Sequence, residues 1–380
     1  MKLISPTLLL LTASLAVAQS PAAHRQTDVV PGSEWHLEKP ESLGYSSKRL
    51  EILRTWVATD DTSSMMVLVH GHPIFAYGDV SHSSHVYSVR KSVLAMLYGN
   101  YVANGTLDLG KTIKQLGITD KQPLLPIEET ATLRQLIASR SGVYHPSGSF
   151  GQADYMPKRG SHIPGTFYIY NNWDFNAAGV AFENLTGQSI YQALQTDLAT
   201  PIGMQDYRVS EQKKEFMPES SLGEYAMSLS TRDMARLGLL MLNRGRWNGK
   251  QIIPADWIST ITSTVTPSRD IHPDSLRNGF DPARWGYGYL WWVWDYPAPA
   301  NTRDGDYDDF FEGAYSAMGT GGNYITVLPA FSMVVVHQVD RDKNPHASVA
   351  PSSYMAMLSM VLNSYCGHDC ESSNQSAGSR

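Results

Sequence analysis

Ser88 and Lys91 are the first residues in this sequence whose types and spacing suit covalent chemistry. Two side chains three positions apart on a helix share one face, with Cβ atoms about 5–6 Å apart. Ser88 opens an apolar helical pattern, so we expect its hydroxyl beside free N–H groups at the positive end of the helix dipole. A partly buried lysine loses its charge more easily and can accept the hydroxyl proton. The spacing therefore indicates a serine nucleophile with a lysine base.

Tyr170 and Asn172 form a second candidate pair, shortly after Pro164-Gly165-Thr166. A tyrosine close to a serine and a lysine can relay a proton to a leaving group, and an asparagine amide can orient the lysine and the substrate. Without further context, a packed loop tyrosine is the alternative interpretation.

Two pairs elsewhere repeat these spacings. Ser210 and Lys213 lie in a run of charges with no apolar face, where we predict solvated surface. Tyr98 and Asn100 lie roughly 15 Å along the helix that Ser88 opens, at 1.5 Å per residue, and so cannot reach it.

A third candidate is the glycine-rich segment at residues 316–327, which contains Gly319 and Thr320. Small residues followed by an apolar strand are typical of a sheet edge that a ligand can approach closely. A backbone N–H there could join that of Ser88 to stabilise an oxyanion. A tight hairpin is the alternative.

Two further patterns predict structure and not chemistry. The aromatic run from Trp285 to Trp294 favours strand packing, although some of its side chains could line an acyl pocket. Asp304, Asp306 and Asp308 have calcium-loop spacing but lack the glycine and the closing carboxylate, so we predict a solvated acidic loop and no metal site.

The elements that must position these residues follow from apolar periodicity and turn signals. Helices are predicted over residues 46–59, 88–103, 175–197, 231–245 and 347–364, and strands over 65–69, 74–77, 287–294, 314–318, 323–328 and 332–338. Strands at both ends of the chain predict one sheet layered by helices, with a largely helical insertion. The predicted units are an extended lead-in at 19–45, an α/β lobe at 46–107 and 226–365, a mainly helical lobe at 108–225 and a polar tail at 366–380.

Composition excludes several classes of protein. Of 380 residues, 42% are hydrophobic and 17% charged, with a net charge of −6, which excludes disorder and argues against nucleic-acid or anionic-membrane partners. Residues 1–18 have the charge, apolar run and small residues of a secretory signal cleaved after Ala18, which predicts a secreted or periplasmic protein. Cys366 and Cys370 provide too few ligands for a closed zinc site, so a small-loop disulfide and free thiols are the alternatives. The oligomeric state is left open.

Together, the three ordered candidates resemble the serine β-lactamase and penicillin-binding-protein superfamily. The similarity is greatest to its class C-like branch of esterases, D-aminopeptidases and 6-aminohexanoate-dimer hydrolases, and it covers about residues 40 to 365. It implies an α/β (α+β) fold, with a mostly antiparallel sheet flanked by helices on both faces and an inserted helical lobe.

The resemblance also implies a role for each candidate residue. Ser88 corresponds to the acylated nucleophile, Lys91 to its general base, Tyr170 to the second proton carrier and Asn172 to the orienting amide. The oxyanion hole would use the backbone N–H groups of Ser88 and Thr320, beside Gly319, and no cofactor is needed.

The sequence departs from this superfamily where β-lactamases and peptidoglycan peptidases have Lys-Thr-Gly, because here it reads Ala317-Met318-Gly319. A lysine there attracts a substrate carboxylate, a contact that contributes on the order of 1.5–3 kcal/mol. Its absence favours a small neutral ester or linear amide as substrate, unless an arginine elsewhere in the chain compensates for it. The alternatives are a β-lactamase or D-alanyl-D-alanine carboxypeptidase, and a non-catalytic binding protein on the same scaffold.

Overall fold

The computed structural model describes residues 29–147, 155–278, 284–295 and 310–370. The strands are β1 (Ser64–Val69), β2 (His72–Gly78), β3 (Ser83–His85), β4 (Lys213–Glu215), β5 (Glu224–Ala226), β6 (Ser228–Ser230), β7 (Arg246–Trp247), β8 (Lys250–Gln251), β9 (Trp285–Tyr287), β10 (Trp292–Trp294), β11 (Tyr315–Gly319), β12 (Asn323–Leu328) and β13 (Met333–Gln338). Seven of them form one sheet in the order β2-β1-β13-β12-β11-β10-β9, and every neighbouring pair is antiparallel. The predicted antiparallel sheet is confirmed.

The described chain also contains α-helices and one π-helical segment. They are α1 (Ser47–Val57), α2 (Val89–Ala103), α3 (Ile113–Leu116), α4 (Leu133–Ile137), α5 (Asn172–Thr186), α6 (Ile190–Ala193), a π-helical segment (Leu194–Ala199), α7 (Thr200–Ile202), α8 (Thr231–Leu242), α9 (Ala255–Ile261), α10 (Asp274–Asn278) and α11 (Pro351–Asn363). Helices α3 to α7 fall within the predicted helical lobe, whose boundaries stay a prediction.

Helices cover both faces of the sheet, as the resemblance implies. On one face, Gly238 of α8 lies against Ile325 and Val334. Side chains alternate between the faces of a strand, so the neighbouring Tyr324 points the other way. There it stacks on Tyr354 of α11 at 3.9 Å between ring centroids. Because both faces are covered, every position of β1, β12 and β13 is buried.

The predicted strand over residues 287–294 is wrong in one respect. The chain reverses in this segment, and β9 and β10 pair with each other. The reversal is held from outside: Leu290 N–H donates to the Ile137 carbonyl, and the Ser92 hydroxyl donates to the Leu290 carbonyl at 2.6 Å. The run contains Gly286 and Gly288, which can mark a turn, but its aromatic side chains favoured a single strand in the sequence interpretation.

The predicted helix over residues 175–197 also differs from the structure. It begins earlier, at Asn172, because the Asn171 side chain caps it by accepting from the Trp173 N–H. It ends at Thr186, and Ser189 caps the next helix, α6.

The segment just before α1 and the segment just after α11 lie side by side. Helix α1 packs against α11. The Ser46 N–H donates to the Ser364 carbonyl at 2.8 Å, and the Cys366 N–H donates to the Gly44 carbonyl at 2.9 Å. A disulfide joins Cys366 to Cys370.

Within the described ranges, no helix has the length and apolar character needed to cross a membrane. The predicted signal at residues 1–18 and the acidic run Asp304, Asp306 and Asp308 lie outside those ranges.

Candidate active site

Ser88 sits where β3 leads into α2, as its sequence context predicts. It is the N-cap residue of α2, but its hydroxyl makes no capping hydrogen bond and is turned towards Lys91 instead. The preceding residue, Tyr87, has a φ of 50°, which is unusual for a residue with a side chain. Its ring stacks on His85 at 4.2 Å. The backbone is thus bent immediately before the serine, as often occurs at functional sites.

The structure brings Ser88, Lys91 and Tyr170 together. Nζ of Lys91 lies 2.6 Å from Oγ of Ser88 and 2.9 Å from Oη of Tyr170, both hydrogen-bonding distances. The first contact follows from the three-residue spacing on α2. The second joins residues 79 positions apart in the chain, and spacing alone could not predict it.

Lys91 is only 2% exposed and lies among aromatic rings. Its Nζ is 4.7 Å from the ring centroid of Tyr170 and 4.9 Å from that of Phe175. Burial lowers the pKa of Lys91 well below its usual value, and the charge of Arg90 lowers it further, while Glu224 opposes the shift. Burial thus favours the neutral amine, which has a lone pair to accept a proton.

Tyr170 precedes α5, and its N–H donates to the His272 carbonyl at 3.0 Å. Its ring stacks on Trp292 with 5.8 Å between centroids and 20° between planes. Burial raises the pKa of Tyr170, although a hydrogen bond with Ser88 partly offsets this effect. The phenol is therefore neutral and suited to passing a proton on without holding a charge.

Asn172 is half-buried at the first residue of α5, two positions after Tyr170. It is not among the described residues that line the cavity beside Ser88. Its role as the orienting amide stays a prediction.

Gly319 ends β11 directly against the start of α2. A Cβ added at Gly319 would lie 2.3 Å from the carbonyl oxygen of Val86 and 3.3 Å from Cγ2 of Val89. Real Cβ atoms essentially never come so close to another atom, so only glycine lets the strand approach the serine this closely. The predicted sheet edge is wrong, because β11 lies between β10 and β12. The alternative interpretation, a tight hairpin, agrees with the pairing of β11 and β12 across the turn at residues 320–322.

Thr320 follows in the turn that joins β11 to β12, and two side chains hold this turn. Nδ2 of Asn323 donates to the Thr320 carbonyl at 3.0 Å. Nδ1 of His337 donates to the Gly322 carbonyl at 2.6 Å, and Nε2 of His337 lies 2.8 Å from the Thr62 hydroxyl. Sequence analysis missed Asn323 and His337, because a single histidine in an apolar strand carries no signal of such a contact.

A cavity of about 300 Å³ opens beside Ser88. Its lining consists of Ser88, Tyr170, Ser275, Leu276, Trp292, Met318, Gly319, Thr320, Gly321, Gly322, Tyr324, Ser348, Val349 and Pro351. None of these described lining residues carries a charge. Ala317 is fully buried and is not among these described lining residues, and Trp292 is the member of the aromatic run that reaches the cavity.

The two look-alike pairs lie elsewhere. Ser210 and Lys213 are exposed. The Tyr98 hydroxyl is buried and donates to the Ala178 carbonyl at 2.8 Å. In the part of the chain that the structure describes, no group of three or more His, Cys, Asp or Glu side chains could hold a metal ion.

Comparison with known proteins identifies a matching family model and a sequence relative. A family model described as beta-lactamase matches residues 63–354. An uncharacterized protein of Alkalihalophilus pseudofirmus is 23% identical over 345 residues, covering 82% of this chain and 93% of the relative.

Solved structures share the fold. A structure described as a putative 6-aminohexanoate-dimer hydrolase from Bacillus anthracis superposes with a TM-score of 0.59 at 19% identity, covering 89% of this chain and 88% of that one. EstCE1, described as a hydrolase with promiscuous acyltransferase activity, superposes with a TM-score of 0.58 at 14% identity, covering 85% and 99%.

Proposed function

This chain belongs to the beta-lactamase family, and from that premise we propose that it is a serine hydrolase that cleaves carboxylic esters or linear amides through an acyl-enzyme on Ser88. The observation that carries the proposal is the contact of one buried amine, Nζ of Lys91, with both the Ser88 hydroxyl and the Tyr170 phenol. A nucleophile next to a base that is held by a third group is the arrangement that activates a serine.

In the proposed acylation step, neutral Lys91 takes the proton of Ser88 as Oγ attacks the substrate carbonyl. The oxygen of the tetrahedral intermediate accepts hydrogen bonds from the backbone N–H groups of Ser88 and Thr320. The intermediate collapses when the carbonyl–leaving-group bond breaks. Lys91 then returns its proton through Tyr170 to the leaving alcohol or amine, and Ser88 remains acylated.

Deacylation repeats this route with water as the nucleophile. Water gives its proton to the Tyr170 and Lys91 pair as it attacks the acyl carbon. Breaking the acyl–Oγ bond releases the acid, and the same proton restores the Ser88 hydroxyl. The number of protons in the site is unchanged over the cycle. Because Lys91 accepts a proton at the start of each half-reaction, the mechanism requires the amine to be neutral in the resting state.

The uncharged cavity supports a neutral substrate. Penicillins and D-Ala-D-Ala termini carry a carboxylate, and Ala317 stands where a lysine would attract it. A charge-assisted contact contributes on the order of 1.5–3 kcal/mol, or roughly ten- to a hundred-fold in binding. None of the described side chains lining the cavity supplies such a contact.

The decisive experiment compares Ser88→Ala with Ser210→Ala, since Ser210 belongs to the exposed pair with the same spacing. We expect Ser88→Ala to abolish hydrolysis of p-nitrophenyl butyrate and labelling by a fluorophosphonate, and Ser210→Ala to retain both. Mass spectrometry should locate the label on Ser88. Rapid nitrocefin turnover without ester cleavage would instead indicate a β-lactamase, and folded protein that remains unlabelled would indicate a binding protein.

We also propose that the protein is exported, with its signal cleaved after Ala18. The disulfide between Cys366 and Cys370 supports an oxidising compartment. N-terminal sequencing of protein recovered from the periplasm or medium should begin at Gln19, and an intact N-terminus in a cytoplasmic fraction would contradict the proposal.

A further inference from the structure

Arg90, the residue before the proposed base, is completely buried. Its Nε donates to Oε1 of Glu224 at 2.9 Å, and its Nη2 donates to Oδ1 of Asn176 at 3.2 Å. Its guanidinium carbon also lies 4.2 Å from the ring centroid of Tyr225. A positive charge is therefore fixed inside the protein by groups from α5 and β5.

This charge lies beside Lys91 in the interface between α2 and α5. Two consecutive residues of α2 contact two consecutive residues of α5: Arg90 hydrogen-bonds Asn176, and Lys91 lies over the ring of Phe175. The two basic side chains thus share one buried region, from which water is largely excluded. In such a region the repulsion between like charges is much stronger than in water.

Burying a guanidinium is costly, and pairing it with a carboxylate does not by itself stabilise a fold. An apolar side chain could fill the space of Arg90 without that desolvation cost. Glu224 is the charged partner, and it is only 15% exposed. The buried pair of Arg90 and Glu224 therefore influences the protonation of Lys91, even if the pair contributes nothing to the stability of the fold.

We propose that Arg90 and Glu224 are positioning residues of the site, in which Arg90 acts as a fixed positive charge that disfavours the ammonium form of Lys91 and Glu224 limits this effect. The inference rests on the proposed function, since it concerns the resting state of the same base. Neither side chain needs to contact the substrate.

The remaining titratable groups near Lys91 are four phenols, one imidazole and the carboxyl of Asp174. Burial raises the pKa of each neighbouring phenol, and it lowers the pKa of His85 on β3, so these groups are neutral. Burial also raises the pKa of Asp174 on α5, whose carboxylate hydrogen-bonds Ser141. The phenols are those of Tyr155 and Tyr170 before α5, Tyr225 on β5 and Tyr287 on β9.

The test is the acid limb of the pH profile of kcat/KM for p-nitrophenyl butyrate, because this limb reports protonation of the base in the free enzyme. Arg90→Met removes the repulsion, so the pKa of Lys91 rises and the limb moves to higher pH. Glu224→Gln removes the compensating negative charge, so the limb moves to lower pH. We expect shifts on the order of one pH unit in each direction, since a nearby charge shifts a pKa by roughly 1–3 units.

Labelling of Ser88 by a fluorophosphonate provides a second measurement that does not depend on deacylation. One unit below the wild-type midpoint, Arg90→Met should label about tenfold more slowly than wild type. Arg90→Lys keeps the charge and should keep the limb close to its wild-type position.

Arg236→Met is the matched control, because Arg236 is also buried but donates to the carbonyls of Pro31 and Ile202. It should lower the melting temperature and leave the limb in place. If Arg90→Met does not fold, the downward shift in Glu224→Gln still tests the proposal. The proposal would be overturned if the acid limb stayed in place in Arg90→Met and Glu224→Gln, or if it moved in the same direction in both. The proposed function would still stand in that case, provided that the wild-type enzyme is active. Loss of wild-type labelling would overturn the proposed function itself.

Discussion

Gly319→Ala tests whether the close approach of β11 to α2 builds the oxyanion site. The new Cβ would lie 2.3 Å from the Val86 carbonyl oxygen, whereas ordinary contacts of this kind begin near 3.4 Å. The strand end must therefore move by about 1 Å, and the N–H of Thr320 moves with it. Loss of one oxyanion donor costs about 10²–10³ in kcat, or about 2.7–4 kcal/mol. We expect a fall of this size in kcat for p-nitrophenyl butyrate, with a smaller change in KM.

The same substitution should leave the protein folded, since overpacking a core costs about 1–3 kcal/mol. Thermal unfolding measures this cost. Gly32→Ala is a suitable control, because an added Cβ there has no atom within 4 Å. It should leave both kcat and the melting temperature unchanged. Folded Gly319→Ala that keeps kcat within about threefold of wild type would refute the reasoning.

Three further predictions concern the cavity, the turn and the tail. Trp292→Ala should enlarge the cavity and remove the stacking on Tyr170, so the ratio of kcat/KM for octanoyl over butyryl esters should rise roughly tenfold; an unchanged ratio would exclude Trp292 as an acyl-pocket wall. Burial lowers the pKa of His337 to about 4, against about 6.5 in the unfolded chain, so wild type should lose about 3 kcal/mol of unfolding free energy as the pH falls from about 6.5 towards 4. Urea unfolding at both pH values should show this loss, and its persistence in His337→Gln would refute the assignment to His337. Cys366→Ser opens a small disulfide loop and should cost at most about 2 kcal/mol of stability with kcat unchanged; a loss of activity would contradict the separation of the tail from the site.

The parts of the site that sequence could predict are local. The spacing of Ser88 and Lys91 defines a shared helix face, and the structure has their side-chain atoms 2.6 Å apart. The apolar runs likewise gave β12 and β13 to within about one residue. Bringing Tyr170 to the same place needed the family resemblance, because periodicity says nothing about contacts between distant segments.

The parts that could not be predicted depend on tertiary contacts. The reversal between β9 and β10 is held by hydrogen bonds from Ser92 and to Ile137, which lie far away in the sequence. An arginine in a helix is normally predicted to be exposed, and only the tertiary structure shows that Arg90 is buried and paired with Glu224. In the sequence, His337 is only a polar residue within an apolar strand, and its hydrogen bond to the Gly322 carbonyl is evident only from the structure.

The neighbouring positions of Gly44 and Cys366 have a consequence for protein engineering. Since Gly44 and Cys366 lie side by side, a short linker could join these positions, and new termini could be opened at an exposed connection such as the one between β7 and β8. This permutant would lack residues before Gly44, including Pro31, whose carbonyl accepts from Arg236. Such a circular permutant would keep every cavity-lining residue in the rearranged chain.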